Sequence, residues 1–140
     1  MAYRYLGRRE YSRQELTRKL QQRGVETATA EAVVGELDAE GLVSDERFTE
    51  SFVRSRVSRM YGPLKIRAQL RQKGVGDDLI AVKLASLEDI WPDLALSWVR
   101  KRAGEPFDRK EKARLYRSGM NRGFPHDIMM RALDRFEAGT

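Results

Sequence analysis

The chain has 140 residues, 34% of them charged, with 27 Lys plus Arg against 21 Asp plus Glu for a formal net charge of +6, and no cysteine. That length suits one domain or a short array of repeats; the positive balance favours anionic partners, and the missing thiol excludes a disulfide framework, a thiolate nucleophile and a thiolate zinc site. No apolar run approaches the roughly 18 residues of a membrane span, and the opening MAYRYLGRREY carries no signal-peptide core, so a soluble, cytoplasmic protein with no membrane partner is expected.

Periodicity predicts nine helices in chain order, over residues 3–9, 12–22, 29–40, 45–59, 63–73, 78–88, 92–102, 109–121 and 125–137, and no strand. Ser12 with Glu15 forms a capping box at the second helix, and Ser44 stands before the acidic first turn, Asp45 and Glu46, of the fourth. The fifth, GPLKIRAQLRQKG at 62–74, has Pro63 in its first turn and Gly74 as a left-handed stop. Ile66 and Leu70 give it an apolar stripe, with Arg67 and Arg71 on the flank about 100° round the axis. Pro92 and Pro125 likewise fit first helical positions.

Three glycines set an internal repeat. Gly24, Gly74 and Gly123 lie 50 and 49 residues apart, with Leu16, Ile66 and Leu115 eight positions before them and Val25, Val75 and Phe124 directly after. Ten positions on come Val34, Leu84 and Leu133; thirteen on come Leu37, Leu87 and Phe136. A fifth column, four before the glycine, reads Leu20, Leu70 and then Gly119, where Met120 stands ready to fill the gap. Upstream, FVRSR at 52–56 corresponds to WVRKR at 98–102, and the first copy has YLGRR at 5–9 in that place. The expected fold is all-α: three tandem three-helix repeats, 1–43 with a short leading helix, 44–90 and 91–140, forming an elongated, curved helical array. Such an array offers an extended face for macromolecules and few deep pockets for small-molecule substrates.

Catalysis is not expected. His126 is the only histidine, so neither a His cluster for zinc nor a Ser-His-Asp triad is on offer. Carboxylate pairs such as Asp77 with Asp78 sit at helix starts, where the helix dipole accounts for them, and there is no glycine-rich phosphate loop. Neither a metal nor a cofactor is expected. Phe48, Phe52, Trp98 and Phe136 fall at core spacing, whereas Tyr61, in the turn before Gly62, is either exposed or packed at a helix junction.

The basic residues are unevenly spread. Between Phe52 and Gly76 there is no acid, and the window holds Arg54, Arg56, Arg59, Lys65, Arg67, Arg71 and Lys73; Arg100, Lys101 and Arg102 occupy the equivalent helix end in the third repeat. On charge clustering, the expected partner or DNA contacts are Arg54, Arg56, Arg59, Tyr61, Lys65, Arg67, Arg71 and Lys73, with Arg100, Lys101 and Arg102 as a second site. Such a surface meets either nucleic-acid phosphates, with steep salt dependence, or an acidic protein groove.

Four blocks, REYSRQELTRKLQQRG at 9–24, LDAEGLVSDERFTESFVRSR at 37–56, YGPLKIRAQLRQKGV at 61–75 and NRGFPHDIMMRAL at 121–133, together resemble the RecX family, regulators of the bacterial RecA recombinase. The resemblance implies a non-enzymatic protein that binds RecA and its filament on single-stranded DNA, lodges in the filament groove, and suppresses recombinase, ATPase and co-protease activity, so modulating DNA repair, recombination and the SOS response. Weak direct DNA binding fits the basic window. The alternatives from the residues alone are a non-specific nucleic-acid-binding helical protein acting without RecA, and a structural scaffold.

Overall fold

The computed structural model describes residues 1–139; Thr140, the last residue of the expected third repeat, lies outside them. Among the described residues every regular element is helical. In chain order they are α1 Ala2–Leu6, α2 Arg13–Gln22, α3 Thr27–Ala39, α4 Asp45–Ser58, α5 Pro63–Gln72, α6 Asp77–Ala85, a 3-10 turn Glu88–Ile90, α7 Trp91–Arg102, α8 Arg109–Arg122 and α9 His126–Glu137.

Local chemistry accounts for most of these boundaries. Ser12 Oγ accepts from the Glu15 amide at 3.0 Å, and the Glu15 carboxylate accepts from the Ser12 amide at 3.2 Å, completing the capping box of α2. Asp108 caps α8 through the Glu111 amide at 2.9 Å. Pro125 is the N-cap of α9 and not its first helical residue; its extended backbone, ψ 160°, hands the first position to His126. The helix expected over 78–88 stops at Ala85, and the 3-10 turn follows before Pro92 helps start α7. The repeat glycines adopt φ of 89°, 82° and 104° at Gly24, Gly74 and Gly123, a left-handed stop that residues with a Cβ reach only at a cost.

Most of the repeat columns lie in the core, although Val25, Leu87 and Phe136 are only half-buried. Leu16, Ile66 and Leu115 are each 0% exposed, and Val34, Leu84 and Leu133 are buried with them. Gly119 breaks its column for a packing reason: a Cβ there would stand 2.4 Å from the Sδ and Cε of Met129. The space a leucine fills in the other two copies is thus taken by Met129 of α9, not by Met120 of the same helix.

The chain divides into two compact units, Met1–Val53 with Gln69–Lys83, and Arg54–Ala68 with the chain from Leu84 onward. The first has a core of Tyr11, Leu16, Leu20, Ala30, Val34, Leu37 and Val43; the second is centred on Trp98, Val99, Leu115, Phe124, Met129 and Leu133. Each unit joins a terminal repeat to part of the middle one. In the first, Ser12 Oγ donates to the Lys73 carbonyl at 2.7 Å and Lys73 Nζ pairs with Glu15 at 3.0 Å. In the second, the Gly62 amide donates to the Arg122 carbonyl at 2.9 Å and the Leu64 amide to Gly123 at 3.0 Å. Ser12 and Gly62 are equivalent in the repeat, as are Lys73 and Arg122, so one joint is made twice: a glycine corner seats against the start of the second helix of the preceding repeat.

Candidate functional site

The second unit carries a cation-rich, acid-free corner, from the end of α4 into the start of α5. The Met60 amide closes on Val57 and the Tyr61 amide on Arg56, at 2.9 and 3.0 Å, and Met60 takes φ 61°, left-handed for a residue with a side chain. Left-handed backbone costs a non-glycine residue roughly 1–2 kcal/mol, so neighbours must hold it. Arg122, at the end of α8, supplies that hold. Its Nε donates to the Met60 carbonyl at 3.0 Å, its Nη2 donates to the Arg59 carbonyl, and its guanidinium lies 3.9 Å from the centre of the Tyr61 ring. The Arg56 guanidinium is 5.9 Å from the same ring. Tyr61 is therefore the half-buried packing element of the corner.

Around that fixed corner, Arg54, Arg59, Lys65 and Arg67 have exposed side chains that form no ion pair among the described residues, and Leu64, 44% exposed, lies beside Lys65. The other members of the acid-free window are differently placed. Arg71 pairs with Asp77 at 2.7 Å, both ends exposed, which in water is worth about 0–1 kcal/mol and is readily exchanged for another partner. Lys73 is committed inward to Glu15. Burial raises the Glu15 pKa, but hydrogen bonds from Arg9, Lys73 and the Ser12 backbone outweigh it and hold the carboxyl below its usual range. A window without acids in sequence is thus supplied with acids in space.

Arg100, Lys101 and Arg102 form the exposed last turn of α7, where cations complement the helix dipole. This turn is braced from α8. Arg114 Nη2 donates to the Arg102 carbonyl at 3.2 Å while its guanidinium forks onto Glu111 at 2.7 Å, and the Glu111 carboxylate accepts from the Gly104 amide at 2.6 Å. The Arg114 hydrogen bonds and the Gly104 amide pull the Glu111 pKa down to about 2.

Arg122 was not among the expected contacts, although its signal is visible. The residue before each repeat glycine is basic, Arg23, Lys73 and Arg122, and each turns back on its own unit, Arg23 donating to the Tyr5 hydroxyl at 3.1 Å. Among the described residues no group of three or more His, Cys, Asp or Glu side chains is placed to hold a metal ion, and no helix is long and apolar enough to cross a membrane.

Three-helix domains in tandem, joined by repeated glycine corners and presenting clustered cations, define an all-α repeat protein. Family descriptions for the first, second and third three-helix domains of RecX match residues 1–37, 44–84 and 88–133. Regulatory protein RecX of Xanthomonas campestris pv. campestris (strain B100) is 43% identical over 121 residues, covering 85% of this chain and 75% of the relative. That of Pseudomonas syringae pv. tomato (strain ATCC BAA-871 / DC3000) is 43% identical over 130 residues, 91% of this chain and 84% of the relative. The fold matches the crystal structure of RecX from Lactobacillus salivarius with a TM-score of 0.85 at 22% identity, covering 98% of this chain and 92% of that one. The chain belongs to the RecX family of regulatory proteins.

Proposed function

We propose that this protein binds the RecA recombinase and its filament on single-stranded DNA and inhibits the recombinase, ATPase and co-protease activities, modulating DNA repair and recombination without chemistry of its own. The observation that carries this reading is family membership across all three three-helix domains. The exposed cations Arg54, Arg59, Lys65 and Arg67, on a corner held rigid by Arg122, give it a means of approaching an anionic nucleoprotein assembly. Arg100, Lys101 and Arg102 form a second such approach. Several repeats in one chain favour engagement of more than one protomer, where linked weak contacts reinforce each other through effective concentration. Inhibition of ATP hydrolysis is then indirect, through the arrangement or growth of the filament.

The test follows the single-stranded-DNA-dependent ATPase of RecA as this protein is titrated in, with DNA binding by the protein alone measured in the same buffer. Inhibition at concentrations where the protein does not itself occupy DNA supports the regulator. Inhibition that tracks DNA occupancy, with the steep salt dependence of phosphate contacts, would instead identify a nucleic-acid-binding protein acting without RecA.

A further inference from the structure

The α8–α9 face of the second unit carries a groove that the proposed regulation does not use. It is a shallow, open surface groove of about 490 Å³. Its floor is apolar, formed by Ala113, Leu133 and the side chain of Met130, which is 39% exposed although its neighbour Met129 is fully buried. Tyr116 and His126 form one wall. Their side chains are joined by a 2.8 Å hydrogen bond between the Tyr116 hydroxyl and His126 Nδ1, with the rings edge to face at 78°. Arg109 and Arg117 line the groove with exposed guanidinium groups that form no ion pair or hydrogen bond among the described residues. Lys112 between them is already neutralised, pairing with Glu137 at 3.1 Å and Asp134 at 3.5 Å.

We infer that this groove docks an acidic amphipathic peptide segment of a partner protein, with apolar side chains on the floor and carboxylates on Arg109 and Arg117. The pattern of charge decides the class of ligand. Arg109 and Arg117 are eight residues apart on one helix, about 12 Å, with apolar floor and a spent lysine between them. A nucleic-acid strand presents a charged phosphate at every nucleotide and no aliphatic side chains, so it would meet the two arginines but leave the apolar floor of Ala113, Met130 and Leu133 uncovered. A peptide with two carboxylates about two helical turns apart and leucine or phenylalanine between them on the same face satisfies both cations and covers Met130.

The inference does not depend on RecA, and its test contains none. The probe is a fluorescein-labelled helical peptide with two glutamates eight positions apart flanking leucines on one face, compared with its glutamine isostere by anisotropy against the full chain. The glutamate peptide is expected to bind about tenfold or more tightly than the isostere. That preference should vanish in the Arg109→Gln/Arg117→Gln variant, and binding of both peptides should weaken in Met130→Glu, a change on an exposed side chain that leaves the helical circular dichroism intact. Equal affinity for the two peptides, or no binding by about 1 mM, overturns the inference. So does competition by an oligothymidylate whose own binding is lost in the same arginine variant, because the groove is then a phosphate surface.

Discussion

Gly62 and Gly123 meet backbone against backbone: a Cβ built on Gly62 would stand 2.3 Å from the Gly123 carbonyl carbon. Backbone cannot yield as a side chain end can, so Gly62→Ala is expected to lower stability by about 3 kcal/mol. Gly35, inside α3 with nothing within 4 Å of an added Cβ, has the opposite sign: Gly35→Ala is expected to raise stability by about 0.5–1 kcal/mol through helix propensity. Urea midpoints of the two variants, moving in opposite directions, check the assignment; a shared direction contradicts it.

Arg122 combines hydrogen bonds to two carbonyls with a guanidinium stacked on Tyr61. Arg122→Ala should cost about 2–3 kcal/mol, the range of charge-assisted hydrogen bonds with a cation–π contact. Arg122→Lys keeps the charge and loses the planar fork, so it should recover less than half of that loss. Thermal unfolding of the pair decides it: full rescue by lysine would mean that charge alone holds the corner.

The brace at Glu111 should appear in acid. Its folded pKa of about 2 lies below the ordinary glutamate value of 4.5, so the stability it contributes is present above pH 4.5 and is lost as pH falls toward 2. Glu111→Gln is therefore expected to be less stable than the parent at pH 7, with the gap closing between pH 4.5 and 2. Glu15, shifted in the same direction, adds to the acid sensitivity of the other unit. A gap that stays constant across this range would show that the carboxylate's charge is not what matters.

Clustered cations separate into outward and inward groups, and variants should separate likewise. Lys65→Glu with Arg67→Glu reverses two exposed charges, so stability should shift by no more than about 0.5 kcal/mol per site, while RecA inhibition, on the proposed function, falls about tenfold or more. Lys73→Ala removes the partner of a partly buried Glu15 and should lower the unfolding midpoint, with little loss of inhibition by the folded fraction. Measuring midpoint and inhibition on both proteins tests the sorting; unchanged inhibition by the first variant removes this corner from the interface.

The amino-acid sequence determined the helices and the repeat, because both rest on short-range physics. Ser12 with Glu15 caps locally, Gly74 and Gly123 stop helices through their own φ, and the buried columns at Leu16, Ile66 and Leu115 follow from 3.6-residue periodicity repeated three times. Helix ends were less legible where the decisive group is only slightly better than its neighbour, as at Pro125, which caps α9 from one position earlier than its ring geometry alone suggests. What the tertiary structure decided is which cations remain available. Glu15 is 58 residues from Lys73 in the chain and 3.0 Å from it in space, and Met129 reaches back from α9 to fill the gap at Gly119. Arg122 is spent on the Met60 turn, whereas Arg109 and Arg117 are left facing an apolar groove. Charge on a helix face is a local property, but its neutralisation depends on which residue packing brings opposite, and one-dimensional spacing carries no record of that distance.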